Sequence, residues 1–380
     1  MAPSERRVRE RHEWSELPTL PTSVVGSYSV PEWLERLKND FYQRRLSYQH
    51  LSEICEVAIK AALKDHELTG IDVVSDGELR RDNDIDYLLA RIPGIEILNP
   101  AKTYYYDYYE TVIRAPLPSP EGIALGLAED FAFTQTQTDR PVKFSFTGPF
   151  SLSRRIRNEA YASSGDLVRA LAEVLNAEAH RLAGAGATLL QMDEPFLAGY
   201  PEDVGLAMEA INIVTAGVPV TWGLHVCYGN RYARPSWEGH YDFLFPAVLD
   251  ADVDQLILEF ARKGYDDLQL IRKYGWDRSL GLGVIDVKSE EIERRQEIAG
   301  RIRRALDVVP SERLIVNPDC GLRHLPVDIA RAKLRAMVEG TADVRREISG
   351  APAGEPAVPH HHDHLSHDTN PGDPTDAAAG

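Results

Sequence analysis

Apolar residues along the chain fall into two alternating patterns. Short, near-continuous apolar runs recur at TSVVGSY (22–28), IDVVSDGE (71–78), VKFSFTGP (142–149), TLLQMDEP (188–195), PVTWGLHVC (219–227), DQLILEF (254–260), SLGLGVID (279–286) and RLIVNPDCG (313–321). Runs of this length with little polar alternation predict parallel strands covered on both faces. Between them the apolar spacing changes to 3.6 residues. Over 166–183, Leu167, Leu171, Val174, Leu175 and Leu182 share one face behind a candidate cap at Asp166, and Gly184 and Gly186 end the run. A helix is predicted over 289–306 on Ile292, Ile298, Ile302, Ala305 and Leu306. A last helix follows Pro326, with Ala330, Leu334, Met337 and Val338 as its stripe. Eight strands alternating with helices predict a (β/α)8 TIM barrel. An open doubly wound sheet is the alternative, but no G-x-G-x-x-G follows the first strand.

The stretch 94–140 breaks the alternation. TYYYDYYETVI, Pro-rich turns and the period-two FAFTQTQT predict a β-hairpin excursion between strands two and three. Its tyrosines either pack or cover the barrel mouth. The ends differ again: residues 1–17 read as a charged arm, and 349–380 as a disordered tail rich in Pro, Asp and His. The tail holds 5 of the 12 histidines (His360, His361, His362, His364, His367), which either scavenge metal loosely or are simply solvated. A single catalytic domain is expected over 18–348.

Composition narrows the function classes. With 42 basic against 59 acidic side chains, a formal net charge of -17 excludes a broad nucleic-acid or anionic-membrane surface. No apolar run reaches spanning length, and the N-terminus has no apolar signal core. The 3 cysteines (Cys55, Cys227, Cys320) cannot form a disulfide framework. These features predict a soluble cytoplasmic protein.

Polar residues gather at the C-terminal ends of the candidate strands, which in a barrel converge on one face. They are Gly26 and Ser27, Asp76, Gly77 and Glu78, Asp193 and Glu194, His225 and Cys227, Glu259, then Asn317, Asp319 and Cys320. His225 and Cys227, two apart on a strand, project together. With Cys320 and Glu259 they have the ligand types of a zinc site, although H-x-C with two buried cysteines also occurs as plain core. Glu78 and Asp193 put carboxylates at the mouth, suited to an ammonium or to proton handling. Helix capping or strand termination would explain them equally well. The Gly26–Ser27 turn offers backbone amides to a carboxylate. Cys55, in the helical EICEVAIKAALK, reads as core.

In order, VVGSY (24–28), SDGE (75–78), FTGP (146–149), MDEP (192–195), HVCYGN (225–230), LILE (256–259), GVID (283–286) and NPDCGL (317–322) resemble the C-terminal catalytic barrel of cobalamin-independent methionine synthases and their short archaeal-type relatives. The resemblance covers 18–348. It implies a barrel with zinc on His225, Cys227, Glu259 and Cys320, where the metal keeps an incoming thiol deprotonated. It further implies homocysteine as the thiol and a 5-methyltetrahydrofolate-type methyl donor. Glu78 and Asp193 would hold the amino group, and Gly26 and Ser27 the carboxylate.

Some positions depart from the family. There is room for one barrel where the long enzymes have two. Lys288, a catalytic candidate together with Asp193 and Glu78, stands where a His, a candidate proton donor, is usual. The Trp expected beyond T-G-P for pterin stacking is missing, and Glu259 lies 32 residues beyond Cys227 across an Arg-, Tyr- and Trp-rich insert that lies beside the metal ligands and would reshape the electrophile pocket. Two other functions therefore stay open. One is an epoxyalkane:coenzyme M-type thiol alkyltransferase with Arg154 and Arg155 on the sulfonate, and the other a non-catalytic zinc or thiol-metabolite binding barrel. A methyl-carrier protein is a possible partner.

Overall fold

A computed structural model describes residues 17–350. The predicted arm and tail, including the five tail histidines, fall almost wholly outside this range. Six parallel strands, Lys143–Thr147, Leu189–Asp193, Thr221–Val226, Gln255–Leu258, Ser279–Gly283 and Leu314–Asn317, pair in chain order. The first two predicted strands shrink to single bridges: Thr22 pairs with Val316, Ser23 with Val73, and Val74 with Val142. Backbone hydrogen bonds from Ser23 N to Val316 O (2.9 Å), Val73 N to Thr22 O (3.0 Å) and Lys143 N to Val74 O (2.9 Å) carry the ring through this seam. The staves are short because ladder groups are spent elsewhere. Thr22 gives both its backbone N–H and its hydroxyl to Asp72 (2.8 Å each), while Pro21 and Pro141 have no N–H to give.

Helices wrap the ring, each placing an apolar face on the strands. Ser164–Gly184 starts at Ser163, whose hydroxyl accepts from Asp166 N at 3.1 Å and donates to the Asp166 carboxylate at 2.7 Å. Asp166 therefore completes the cap from inside the helix. The predicted helix over 289–306 begins only at Arg295. Ahead of it, Ser289 Oγ closes a local turn on Glu291 N (3.1 Å) and Ile292 faces solvent. Val327–Ser349 lies along Arg295–Leu306, and Gly340 lets the two helices touch at Ile298.

The excursion is a hairpin, Ile95–Ile97 antiparallel to Thr111–Ile113, with Ile156–Asn158 added in parallel. FAFTQTQT is not part of it. Most of that segment belongs to the helix Leu127–Gln135, with Leu127, Phe131 and Thr134 buried. Buried Glu178 accepts from Leu125 N and Leu127 N (3.0 and 2.8 Å), anchoring the helix start with a negative charge. Tertiary capping overrides the local alternation.

His66, in the helix Tyr48–Thr69, stands edge-on to Tyr28 at 4.9 Å. Neither ring nitrogen has a hydrogen-bond partner among the described residues, and burial pushes its pKa down to about 4. An unfolded His titrates near 6.5. Between these values the unfolded chain takes up a proton that the folded chain refuses. The stability from neutral His66 is thus complete above pH 6.5 and lost as pH falls towards 4. His66→Leu should flatten the pH dependence of the urea midpoint, sparing about 2 kcal/mol of acid loss by pH 5. Parallel wild-type and variant curves from pH 7 to 5 would refute this.

Candidate active site

A cavity of about 230 Å³ opens at the C-terminal mouth of the barrel. The strand Thr221–Val226 delivers His225, with Cys227 one residue past its end, and the turn after Leu314–Asn317 delivers Cys320. Their ligand atoms lie within 4.8 Å of one another, the two sulfurs 3.5 Å apart. His225 Nδ1 faces Asp193 Oδ1 at 2.9 Å, leaving Nε2 buried with no partner among the described residues. A carboxylate fixing the far nitrogen of an imidazole is the arrangement that orients metal-binding histidines. Burial opposes charge on His225, but the Cys227 sulfur and Asp193 raise its pKa to about 10. The hydrogen bond from Cys320 holds the Cys227 thiol well below its ordinary value, and the Cys320 thiol rises in turn. A thiolate, a second thiol and an imidazole that gives up its Nε2 proton as a cation arrives form a donor set suited to a thiophilic ion.

The Cys320 turn is held independently of that trio. Asp319 accepts from the backbone N–H groups of Phe260, Ala261 and Arg262 (2.9, 2.8 and 2.9 Å), and Leu322 N donates to Ser27 O at 2.8 Å. Gly283 leaves room for Asp319, and Gly321 for Ser27.

Ser27, Glu78 and Asp193 line the same cavity. Glu78 accepts from Ser145 Oγ at 2.7 Å and pairs with Arg81 at 3.2 Å. It sits at φ 55°, a costly conformation for a residue with a side chain, of the kind that collects at functional sites. Gly26 is required because any side chain there would meet the Glu78 carboxylate and the Ser145 hydroxyl. Gln191 Nε2 donates to both Val25 O and Asp193 Oδ1 at 2.7 Å, fixing Asp193 from within the barrel.

Glu259 is buried nearby but stands apart from the His–Cys–Cys group. Its Oε1 accepts from Arg262 Nε at 2.6 Å and its Oε2 from Lys288 Nζ at 3.0 Å. Burial works against charge on Lys288, but Glu259, then Cys320 and Cys227, keep its ammonium protonated. Lys288 lies behind Glu259, off the cavity wall. Arg154 and Arg155 are also off the wall, stacked on Phe150 and on Tyr108 at 4.5 and 4.4 Å, so neither is placed for a sulfonate in the cavity. Sequence reasoning overlooked Arg81, Asp84 and Gln191. The polar stretch after SDGE and an amide inside an apolar run were the available signals.

The family description "Cobalamin-independent synthase, Catalytic domain" matches residues 20–343. The chain belongs to the cobalamin-independent methionine synthase family. Membership makes it a methyltransferase of the methionine synthase type. It is 37% identical over 339 residues to the methionine synthase of Saccharolobus solfataricus, covering 88% of this chain and 97% of that one. To the methionine synthase of Sulfurisphaera tokodaii it is 37% identical over 336 residues, covering 88% and 95%. Among solved structures, a B12-independent methionine synthase from Shewanella sp. W3-18-1 in complex with selenomethionine aligns with a TM-score of 0.76 and 25% identity, over 87% of this chain and 99% of that one. These findings lend no support to a methyl-carrier partner. No helix among the described residues is long and apolar enough to cross a membrane.

Proposed function

We propose that the chain moves a methyl group from a 5-methyltetrahydrofolate-type donor to the thiol of homocysteine, giving methionine, and that zinc is the metal it uses. The observation that carries this reading is one cavity holding both the His225, Cys227 and Cys320 trio and the Ser27, Glu78 and Asp193 group. The first suits a sulfur-binding metal and the second an amino acid. His225, Cys227 and Cys320 would hold the ion, with Glu259 as a fourth ligand. Bound zinc supplies the Lewis acidity that lets a thiol exist as thiolate at neutral pH.

The protein's own groups do the positioning. Glu78 and Asp193 receive the ammonium, and the Gly26–Ser27 turn receives the carboxylate. This sets the substrate sulfur at the trio, since the three binding points leave an amino acid little freedom. Asp193 serves two partners: it orients His225 and meets the substrate. Lys288 and Arg262 hold the Glu259 carboxylate from behind, so we assign Lys288 as a positioning residue. In the transfer, the S–CH3 bond forms as the donor N–CH3 bond breaks. The electron pair stays on the donor nitrogen, which then takes a proton.

Adding homocysteine to zinc-loaded protein should release about one proton per chain, read with an indicator dye in weak buffer. With 5-methyltetrahydrofolate present, methionine should follow. Absence of both proton release and methionine with any methyl donor would sink the reading.

A further inference from the structure

Beneath the cavity, inside the barrel, lies a lysine with no part in holding homocysteine or metal. Lys143, Ser145 and Thr147 share one face of their strand. Ser145 donates to Glu78 and Thr147 lines the cavity, so this face looks inward and Lys143 lies deepest on it. Lys143 is 3% exposed, and its Nζ has no hydrogen-bond partner among the described residues. Three amides share the interior. Gly281 makes room for Asn317 and Gln255, and Gly223 borders Gln191 and Gln255. Gln191 Oε1, Gln255 Nε2 and Asn317 Oδ1 are likewise buried without a partner among the described residues. Two open donors and two open acceptors inside one ring are the groups that internal water satisfies. At one end of this polar file Gln191 donates to Asp193, and at the other Gln255 borders a second cavity of about 340 Å³.

A buried ammonium is costly unless a negative charge answers it. The ionisable groups at the upper end of the interior are Glu78, Arg81, Asp193 and His225, and those at the lower end are Asp254 and Glu312. Arg81 is already paired with Glu78. The charge that reaches Lys143 is that of Asp193: burial pushes the lysine down to about 7, and the carboxylate works against that fall. A second cation arriving at Asp193 would take up this attraction and leave the lysine with burial alone.

We propose that Lys143 is an internal counter-charge to Asp193 and gives up its proton when the ammonium of an amino-acid substrate reaches that carboxylate. The N–H bond breaks with its electron pair left on Nζ, and the proton passes to water along the polar file. One positive charge thus replaces another, and the barrel admits a cation without gaining net charge. The proposal rests on the ammonium contact at Asp193 in the methyl-transfer reading above. Lys143 touches neither substrate nor metal and is a positioning residue that acts through Asp193.

The test uses zinc-loaded full-length protein and methionine as the probe, because methionine brings the ammonium and carboxylate but no thiol proton. Calorimetry in two buffers of different ionisation heat counts the protons released on binding. Wild type should release about half a proton per methionine at pH 7, more at pH 6 and less than about a tenth at pH 8. The sign follows from the free lysine, which holds more proton to lose as pH falls. Methionine should therefore bind about five- to ten-fold tighter at pH 8 than at pH 6. Lys143→Met and Lys143→Gln should release no proton and bind methionine equally at both pH values, with the affinity of wild type at pH 8. A lysine that merely fills space would move neither the proton count nor its pH dependence. If methionine binds wild type without proton release, or both variants release as much as wild type, this proposal falls. It falls also if methionine does not bind. In those cases the methyl-transfer reading stands as long as homocysteine is turned into methionine. If no methyl donor yields methionine, both fall.

Discussion

Cys320→Ser should abolish metal retention and turnover while leaving the fold intact. A serine hydroxyl stays protonated at neutral pH and binds a thiophilic ion poorly, so one of three converging donors is lost outright. We expect metal content to fall from about one ion per chain to under a tenth, and kcat to drop by at least about a thousand-fold, the scale of losing metal-based charge stabilisation. The fold should survive because the turn carrying Cys320 is pinned by Asp319 on three backbone amides and by Leu322 on Ser27, none of which involves the sulfur. Elemental analysis after gel filtration, activity and circular dichroism on one sample would decide it. Cys320→Ser protein with a full equivalent of metal and normal kcat would remove the metal-centre assignment.

Asp193→Asn should separate substrate recognition from metal binding. The amide oxygen can still accept from His225 Nδ1, so the imidazole keeps its orientation and most of the metal stays. The charge proposed to face the substrate ammonium is gone, and losing a buried charged pair should raise KM for homocysteine about a hundred-fold or more. A small thiol without an amino group should show no such change. Asp193→Ala should in addition weaken the metal by about ten- to a hundred-fold, because the second-shell acceptor is removed. An unchanged homocysteine KM in Asp193→Asn would mean the ammonium binds elsewhere.

The barrel was legible because parallel strands buried on both faces leave unbroken apolar runs, and the site because such strands end on one face. His225, Cys227 and Cys320 were readable from those ends alone. The position of Glu259 was not: its neighbours Arg262 and Lys288 come from a loop and from the end of another strand, and no local pattern announces that pairing. The helix at Leu127–Gln135 was misread as a continuing hairpin because the anchor of its first turn, Glu178, is 51 residues away from Leu127. The insert carrying Trp237 was expected beside the metal ligands, shaping the electrophile pocket, and Trp237 does line the cavity. Its exact place depends on the missing side chain of Gly199, against which its indole lies, and that contact exists only in three dimensions.

The seam between the first two staves has a consequence for how substrate and scaffold share rigidity. Six staves are stitched by regular ladders, but the two that lead into Ser27 and Glu78 hang on single bridges. Asp193 belongs to the well-stitched side. On the proposed contacts, an amino acid held by Ser27, Glu78 and Asp193 would span the least-bonded join in the ring and act as a temporary rung across it. On the proposed reading, homocysteine would enter where the fewest backbone bonds hold the ring and would stiffen that join on binding.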